Sequence, residues 1–341
     1  MRVGILTHPQ SVNYGGILQC YALCTYLHKK GHEPIVIRRE ADKANILWEW
    51  TRSCLKAIHF PRYYTPNKVD RAKYIRPFIE SQLVRTSPIR SQSQMRKVCQ
   101  EYGIDVVIVG SDQVWRKDYA MQFGYNYFLD FVPEGKRRLS YAASFGLSAW
   151  QYNEQETQTI RELLSTYSGI SVREEEAVSL LKNNVNVDAI QHIDPTLLLT
   201  EKEYSNITAK RLLDEAYIFV YWLGAKELVL DKIKSLQEHG KKVVTLFLRD
   251  EEEQISVEDW LSYIKYSDSV ITDSFHGCVF SIIFERQFEV LKNESGGYGR
   301  ILSLCDTLGI KYGSTIDYIQ VNDKLKRLQG SAMDYLSVNL K

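Results

Sequence analysis

Short apolar runs alternate with amphipathic helical stretches along most of this 341-residue chain. That alternation admits few folds, because it calls for a mostly parallel sheet with helices on its faces. In the first half Val3–Thr7, Pro34–Arg38, Asp105–Gly110, Arg138–Ala143 and Ala189–Ile193 read as strands. Helices are predicted from about Ile17 to Lys30, Glu154 to Tyr167 and Glu174 to Lys182. Asp194-Pro195 is a natural break. After it the grammar restarts, with strands at Tyr217–Leu223, Lys242–Leu248, Val270–Thr272 and Phe288–Leu291 and helices between them. The expected architecture is two doubly wound α/β domains facing across a cleft, residues 1–195 and 196–341, with a helical tail packing back on the first.

Within that pattern, Ser269–Phe284 is the densest signal. A short strand turns at Asp273 and Ser274, both good N-caps, and runs on as a helix. Phe275, Cys278, Val279, Ile282 and Ile283 fall at the spacing of a buried face. His276 and Gly277 occupy the first turn, where free N–H groups and the positive dipole end favour an anion. His276 lies off the stripe, so it is expected to point out of the strand's carboxyl end as a neutral proton acceptor. A structural histidine bonded to a carbonyl is the competing reading. Cys278 forms no dyad with His276, since positions i and i+2 do not face each other.

Other strand ends carry polar or small residues. Asn13-Tyr14-Gly15-Gly16 precedes the first helix, and its glycines would let backbone approach a ligand or simply make a tight turn. Ser111-Asp112-Gln113-Val114-Trp115 follows a buried strand, and Ala142-Ala143-Ser144-Phe145-Gly146 follows another. Arg173 stands at a strand–helix junction, able to grip a carboxylate or phosphate with its fork or to pair with Glu174 or Glu176. Asn293–Arg300 reads as a flexible loop that brings Arg300 to the cleft.

Between Ala41 and Lys97 the composition shifts. Trp48, Trp50, Phe60, Tyr63 and Tyr64 cluster among basic residues, with a helix expected from Val69 to about Leu83. This insertion reads either as a solvated cationic face or as a platform for an anionic or membrane-borne acceptor. The whole chain is nearly neutral, at +1, which argues against a generic nucleic-acid binder. The six cysteines form no CxxC pair, which reads as reduced, cytosolic usage without a disulfide framework or zinc site. No apolar run reaches the ~20 residues of a membrane span. The opening Met-Arg-Val-Gly-Ile-Leu-Thr reads as a strand and not a signal peptide.

Taken in order, six segments resemble the polysaccharide pyruvyl transferase family: Asn13–Gly16, Gly110–Trp115, Ala142–Gly146, Ser171–Glu174, Asp194–Leu199 and Thr272–Gly277. The 41–97 segment does not match. The resemblance implies two Rossmann-like domains of the glycosyltransferase-B type, acceptor side first and donor side second. It implies transfer of pyruvate from phosphoenolpyruvate, a co-substrate and not a cofactor, onto a sugar as a cyclic ketal. The family's catalytic histidine falls on His276 and its donor-binding arginine on Arg173.

On that reading His276 shuttles protons. Arg173, Arg300, Ser274 and the N–H groups near Gly277 bind the donor and its developing charge. Asp112 or Glu174 orients His276 or an acceptor hydroxyl. Asn13, Tyr14, Gly15, Gly16, Trp115 and Glu174 lie on the acceptor side, with core packing the rival role for Trp115. The scheme requires no metal. Expected partners are a sugar acceptor, free or lipid-linked, in capsule or exopolysaccharide synthesis, with no nucleic acid. The expected location is the cytoplasm, with peripheral contact at the inner membrane face as a further option. A nucleotide-sugar glycosyltransferase and a non-catalytic sugar or phosphate binder are the alternatives.

Overall fold

The computed structural model describes residues 1–9, 13–41, 72–248, 254–292, 298–311 and 313–341. The first unit is built on β1 (Arg2–Leu6), β2 (Glu33–Val36), β3 (Val106–Val109) and β4 (Arg137–Ser140), in the order β2-β1-β3-β4. All pairs are parallel. Bridges Leu139↔Gly169 and Ala143↔Val172 carry the sheet on to β5 (Ser171–Val172) and β6 (Ile190–Gln191). The second sheet has the order β10-β9-β7-β8, also parallel: β7 (Ile218–Trp222), β8 (Val243–Phe247), β9 (Ser269–Thr272) and β10 (Gln287–Val290). Val106–Val109 is fully buried, as its unbroken apolar sequence requires.

The helices that matter for the site are α1 (Tyr14–Lys29), α2 (Phe275–Ile283), α3 (Tyr298–Leu308) and the tail helix α4 (Tyr318–Asn339). One apolar core runs through both units, joining α1, Leu197–Leu199, Trp260, α2 and Leu336. Separate clusters fill the far face of each sheet, around Trp115 and Phe128 in one and Trp222 and Val229 in the other. The tail helix lies on the first unit: Tyr335 Oη donates to Ser140 O at 2.9 Å, and Arg137 donates to Asn339 O at 2.9 Å.

Two boundaries differ from the sequence reading in ways that move site residues. The glycine pair is not a turn ahead of α1. The helix begins at Tyr14, because Asn13 Oδ1 accepts the Gly16 N–H at 3.2 Å and starts it there. Arg300 sits in the first turn of α3 and not in a loop; residues 293–297 lie outside the described residues. The aromatic and basic stretch at 42–71 also lies outside them. The described remainder of that insertion forms a helix from Arg76 to Gln82, runs along the β2 edge through bridges Val36↔Arg85 and Arg39↔Ile89, and enters a second helix, Gln92–Glu101, capped by Ser91. No helix among the described residues is long and apolar enough to cross a membrane.

Candidate active site

The carboxyl ends of the strands converge at the junction of the two units, where open α/β sheets bind ligands. After β9, Asp273 turns away and receives the N–H groups of Leu223 and Gly224 at 2.7 and 2.8 Å, anchoring the loop after β7. Ser274 is the true cap of α2. Its N–H donates to Thr272 Oγ1 at 3.0 Å and its Oγ accepts the Gly277 N–H at 3.2 Å. A Cβ on Gly277 would lie 2.6 Å from Thr272 Oγ1, so this glycine serves helix–strand packing. Its amide is engaged in the cap, which corrects the expectation that it faces a donor.

The α2 helix is buried on every side, since α1 and the turn at Pro195–Leu198 pack over it. His276 is therefore 6% exposed and does not project freely from the strand end as expected. A Cβ on Gly15 would stand 2.0 Å from His276 Nδ1. Gly15 is thus the absent side chain that gives the imidazole its place. The other ring nitrogen, Nε2, is buried and faces Asp194 Oδ2 at 3.7 Å, too long for a hydrogen bond but close for a charge.

Asp194 is the centre of a buried network. Arg173 Nη1 donates to its Oδ2 at 3.0 Å, and the N–H and Oγ1 of Thr196 donate to its Oδ1 at 3.0 and 2.7 Å. Burial pushes the Asp194 carboxyl up, but His276, Arg173 and the Thr196 amide outweigh it and hold the group well below the usual carboxylate range. Arg173 Nε donates to Glu174 Oε1 at 3.0 Å, and its guanidinium lies 4.6 Å from the Phe275 ring. Burial works against its charge, and the Glu174 and Asp194 carboxylates more than restore it. The fork is thus held by the protein's own carboxylates and cannot grip a ligand bidentately. Nη2 is the nitrogen that stays buried without a hydrogen-bond partner among the described residues.

The open part of the site is a cleft of about 300 Å³ lined by His8, Asn13, Asp112, Ser274, His276 and Arg300, among others. Gly16 lines it too. Asp112 adopts a left-handed φ of 73°, uncommon for a non-glycine residue. Burial raises its carboxyl, and His8, Arg173, His276 and Arg300 bring it below the ordinary value. Arg300 is half-buried, borders two adjoining recesses as well as the cleft, and its Nε has no hydrogen-bond partner among the described residues. Burial and the nearby Arg173 lower its pKa against the pull of Asp112 and Glu174.

Three acceptor-side expectations are corrected. Trp115 is fully buried, donates from Nε1 to Tyr127 O at 2.9 Å and stacks on Phe128, so its ring meets no sugar. Tyr14 is fully buried as well. Its ring stacks on Trp260 at 5.3 Å, and its hydroxyl donates to Ile255 O, tying α1 to the second unit. Burial holds that phenol up at about 12. Glu174 accepts from Arg173 and from Ser144 Oγ at 2.8 Å, and the carboxylate beside His276 is Asp194, not Asp112 or Glu174. Sequence reasoning missed Asp194 and His8. Both stand just beyond a strand's carboxyl end, the same signal that drew attention to Asp112 and Arg173.

The family model for polysaccharide pyruvyl transferase matches residues 13–295, a span that takes in every one of these segments from Asn13 to His276. The chain belongs to the polysaccharide pyruvyl transferase family. Membership makes it a transferase acting on polysaccharides. The fold is glycosyltransferase-B-like. A UDP-GlcNAc 2-epimerase from Methanocaldococcus jannaschii superposes with a TM-score of 0.50 at 12% identity, over 96% of this chain and 92% of that one. A protein assigned as a UDP-N-acetylglucosamine 2-epimerase from Listeria monocytogenes gives 0.51 at 11% identity, over 99% and 90%. At such identities the likeness is one of fold alone. No curated protein matches the sequence.

Proposed function

We propose that this pyruvyl transferase family member moves pyruvate from phosphoenolpyruvate onto a sugar of a polysaccharide or its precursor, closing a cyclic ketal and releasing phosphate. One observation carries the reading. A histidine held between Gly15 and a buried carboxylate faces a cleft that also presents the Arg300 guanidinium. A small dianionic or trianionic donor needs cations and a proton carrier, and no base-binding surface.

The chemistry asks for little else. The donor's methylene carbon takes a proton and becomes methyl, and the adjacent carbon becomes electrophilic. One sugar hydroxyl forms a C–O bond there, the bond to the phosphate oxygen breaks, and a second hydroxyl closes the ring. Of the two hydroxyl protons released, one balances the methyl group and the other leaves on phosphate. His276 carries these protons through Nδ1, the nitrogen on the Gly15 side. Arg300 and the unpartnered Arg173 Nη2 offset the donor's charge. Asn13, Gly16 and Asp112, on the first unit's wall, face the acceptor hydroxyls. The acceptor is a free or lipid-linked saccharide in capsule or exopolysaccharide synthesis on the cytoplasmic side.

The test is transfer itself. The protein is incubated with phosphoenolpyruvate and a panel of free and lipid-linked saccharides, and products are examined by mass spectrometry and phosphate release. A saccharide that gains a pyruvate ketal, and stops gaining it with His276→Ala, supports the proposal. Glycosyl transfer from a nucleotide sugar with no use of phosphoenolpyruvate would overturn it.

A further inference from the structure

Asp194 carries a second consequence of its position. It is fully enclosed, and four of its neighbours come from four separate segments: Ser111 after β3, Arg173 after β5, Thr196 in the following turn, and His276 from the other unit. Its acceptor sites can be counted. An ionised carboxylate has about four. Thr196 fills Oδ1 twice, and Arg173 fills one place on Oδ2. Ser111 Oγ shares its single proton between Ala142 O at 2.9 Å and Oδ2 at 3.2 Å. Oδ2 is therefore less fully engaged than Oδ1, and the group facing it from the second unit is His276 Nε2, which has no hydrogen-bond partner among the described residues.

From this geometry we infer that Asp194 is the positioning residue that fixes the proton of neutral His276 on Nε2 and leaves Nδ1 free, on the Gly15 side, to exchange protons with substrate. At 3.7 Å the contact is electrostatic and not a hydrogen bond; the negative charge favours the ring form that turns an N–H, and not a lone pair, towards it, and so selects the Nε2–H form. Burial opposes the charge on Asp194, but His276, Arg173 and the Thr196 N–H outweigh it, so the carboxylate stays ionised and the selection stays in force. Because Oδ2 also holds Arg173, one carboxylate sets the place of both the proton carrier and the buried cation. This assignment rests on the proposed role of His276 in pyruvyl transfer, and its test does not depend on turnover.

The experiment is nitrogen NMR on histidine-labelled wild-type protein, with the His276 signals assigned by their loss in His276→Gln. The expected spectrum at neutral pH shows a protonated Nε2 and an unprotonated Nδ1. Asp194→Asn should abolish that preference, because an amide can present a donor to Nε2. Where turnover is measurable, Asp194→Asn should lower kcat by about 10²–10⁴-fold, the range for losing a positioned acid–base, and alter the pH profile of kcat. Glu174→Gln, which removes the carboxylate charge beside Arg173 Nε and leaves Asp194 in place, should act on the donor KM and leave the His276 tautomer as in wild type. A wild-type His276 protonated on Nδ1 would overturn the inference, as would an Asp194→Asn protein with an unchanged tautomer and pH profile. Should the wild type show the Nε2–H form yet use no phosphoenolpyruvate, the functional proposal falls and the Asp194 assignment stands.

Discussion

Two junctions in this molecule are built on the same plan and face each other. In both, a parallel strand ends, an N-cap side chain takes the N–H three residues on at 3.2 Å, and a glycine sits inside the first helical turn. At the start of α1 the cap is Asn13; at the start of α2 it is Ser274. They differ in what the glycines make room for. Gly277 admits Thr272 of its own strand, whereas Gly15 admits His276 of the other unit. One junction supplies a ring and the other the space for it. Identical local physics thus gives one junction that closes its own fold and one that completes the site.

The most damaging change should be Gly15→Ala. Its Cβ would meet Nδ1 at 2.0 Å and displace the imidazole, and a displacement of about 1 Å can cost 10²-fold in rate. Gly16→Ala is the steric comparison: among the described residues its Cβ meets nothing nearer than 3.4 Å, and because Gly16 lines the acceptor wall any loss there should fall on the acceptor KM. Comparing kcat and melting temperature for the pair checks this: kcat should fall by about 10²-fold or more in Gly15→Ala and far less in Gly16→Ala. Equal activities would break the contrast between the junctions. Gly277→Ala should act on stability first, by about 1–3 kcal/mol in urea unfolding, because the overlap is with Thr272 inside the second unit.

A third prediction uses the other buried histidine among the described residues, which lies in the first unit. His192, bonded through Nδ1 to Ser171 Oγ at 2.9 Å and packed on Tyr335, is pushed by burial from 6.5 to about 4. Its folded value lies below its unfolded one, so the neutral form is favoured in the fold. That contribution is complete above about pH 6.5 and is lost as pH falls towards 4. Unfolding in that window should take up a proton, and His192→Gln should flatten this part of the stability–pH curve. The smallest effects belong to the caps. Asn13→Ala and Ser274→Ala should each cost about 1 kcal/mol, equal within error if the two junctions are alike locally.

What the sequence made legible follows the same division. The strands at both junctions and the helix after Ser274 stand where apolar periodicity and capping residues put them, because those forces act within a few residues. Contacts between segments were not legible. Asp194 read as a chain break, since Asp-Pro is a break signal whatever the aspartate touches, and its meeting with His276 spans 82 positions of sequence, from 194 to 276. Trp115 offered a sugar platform or a core residue and Tyr14 was placed on the acceptor side; packing against Phe128 and Trp260 puts both in the core. Of the two readings of Arg173, the pairing with its neighbour Glu174 was legible and is found, whereas its bond to Asp194 was not, because Asp194 lies on another strand end. The helix start at Tyr14 was hidden by two glycines that normally signal a turn, and the reason for Gly15 lies across the junction in His276.

The central claim is that the cleft between these junctions takes phosphoenolpyruvate. Its most direct test is ligand-induced thermal stabilisation, with phosphoenolpyruvate and UDP-GlcNAc compared on the wild type and on Arg300→Ala. Arg300 is the suitable probe, because removing Arg173 would leave two carboxylates unpaired in the interior. At about 100 times its dissociation constant a ligand adds about 2.7 kcal/mol to the folded state. The account predicts stabilisation of the wild type by phosphoenolpyruvate, its loss in Arg300→Ala, and no response to UDP-GlcNAc. Stabilisation by UDP-GlcNAc alone, undiminished in Arg300→Ala, would contradict it.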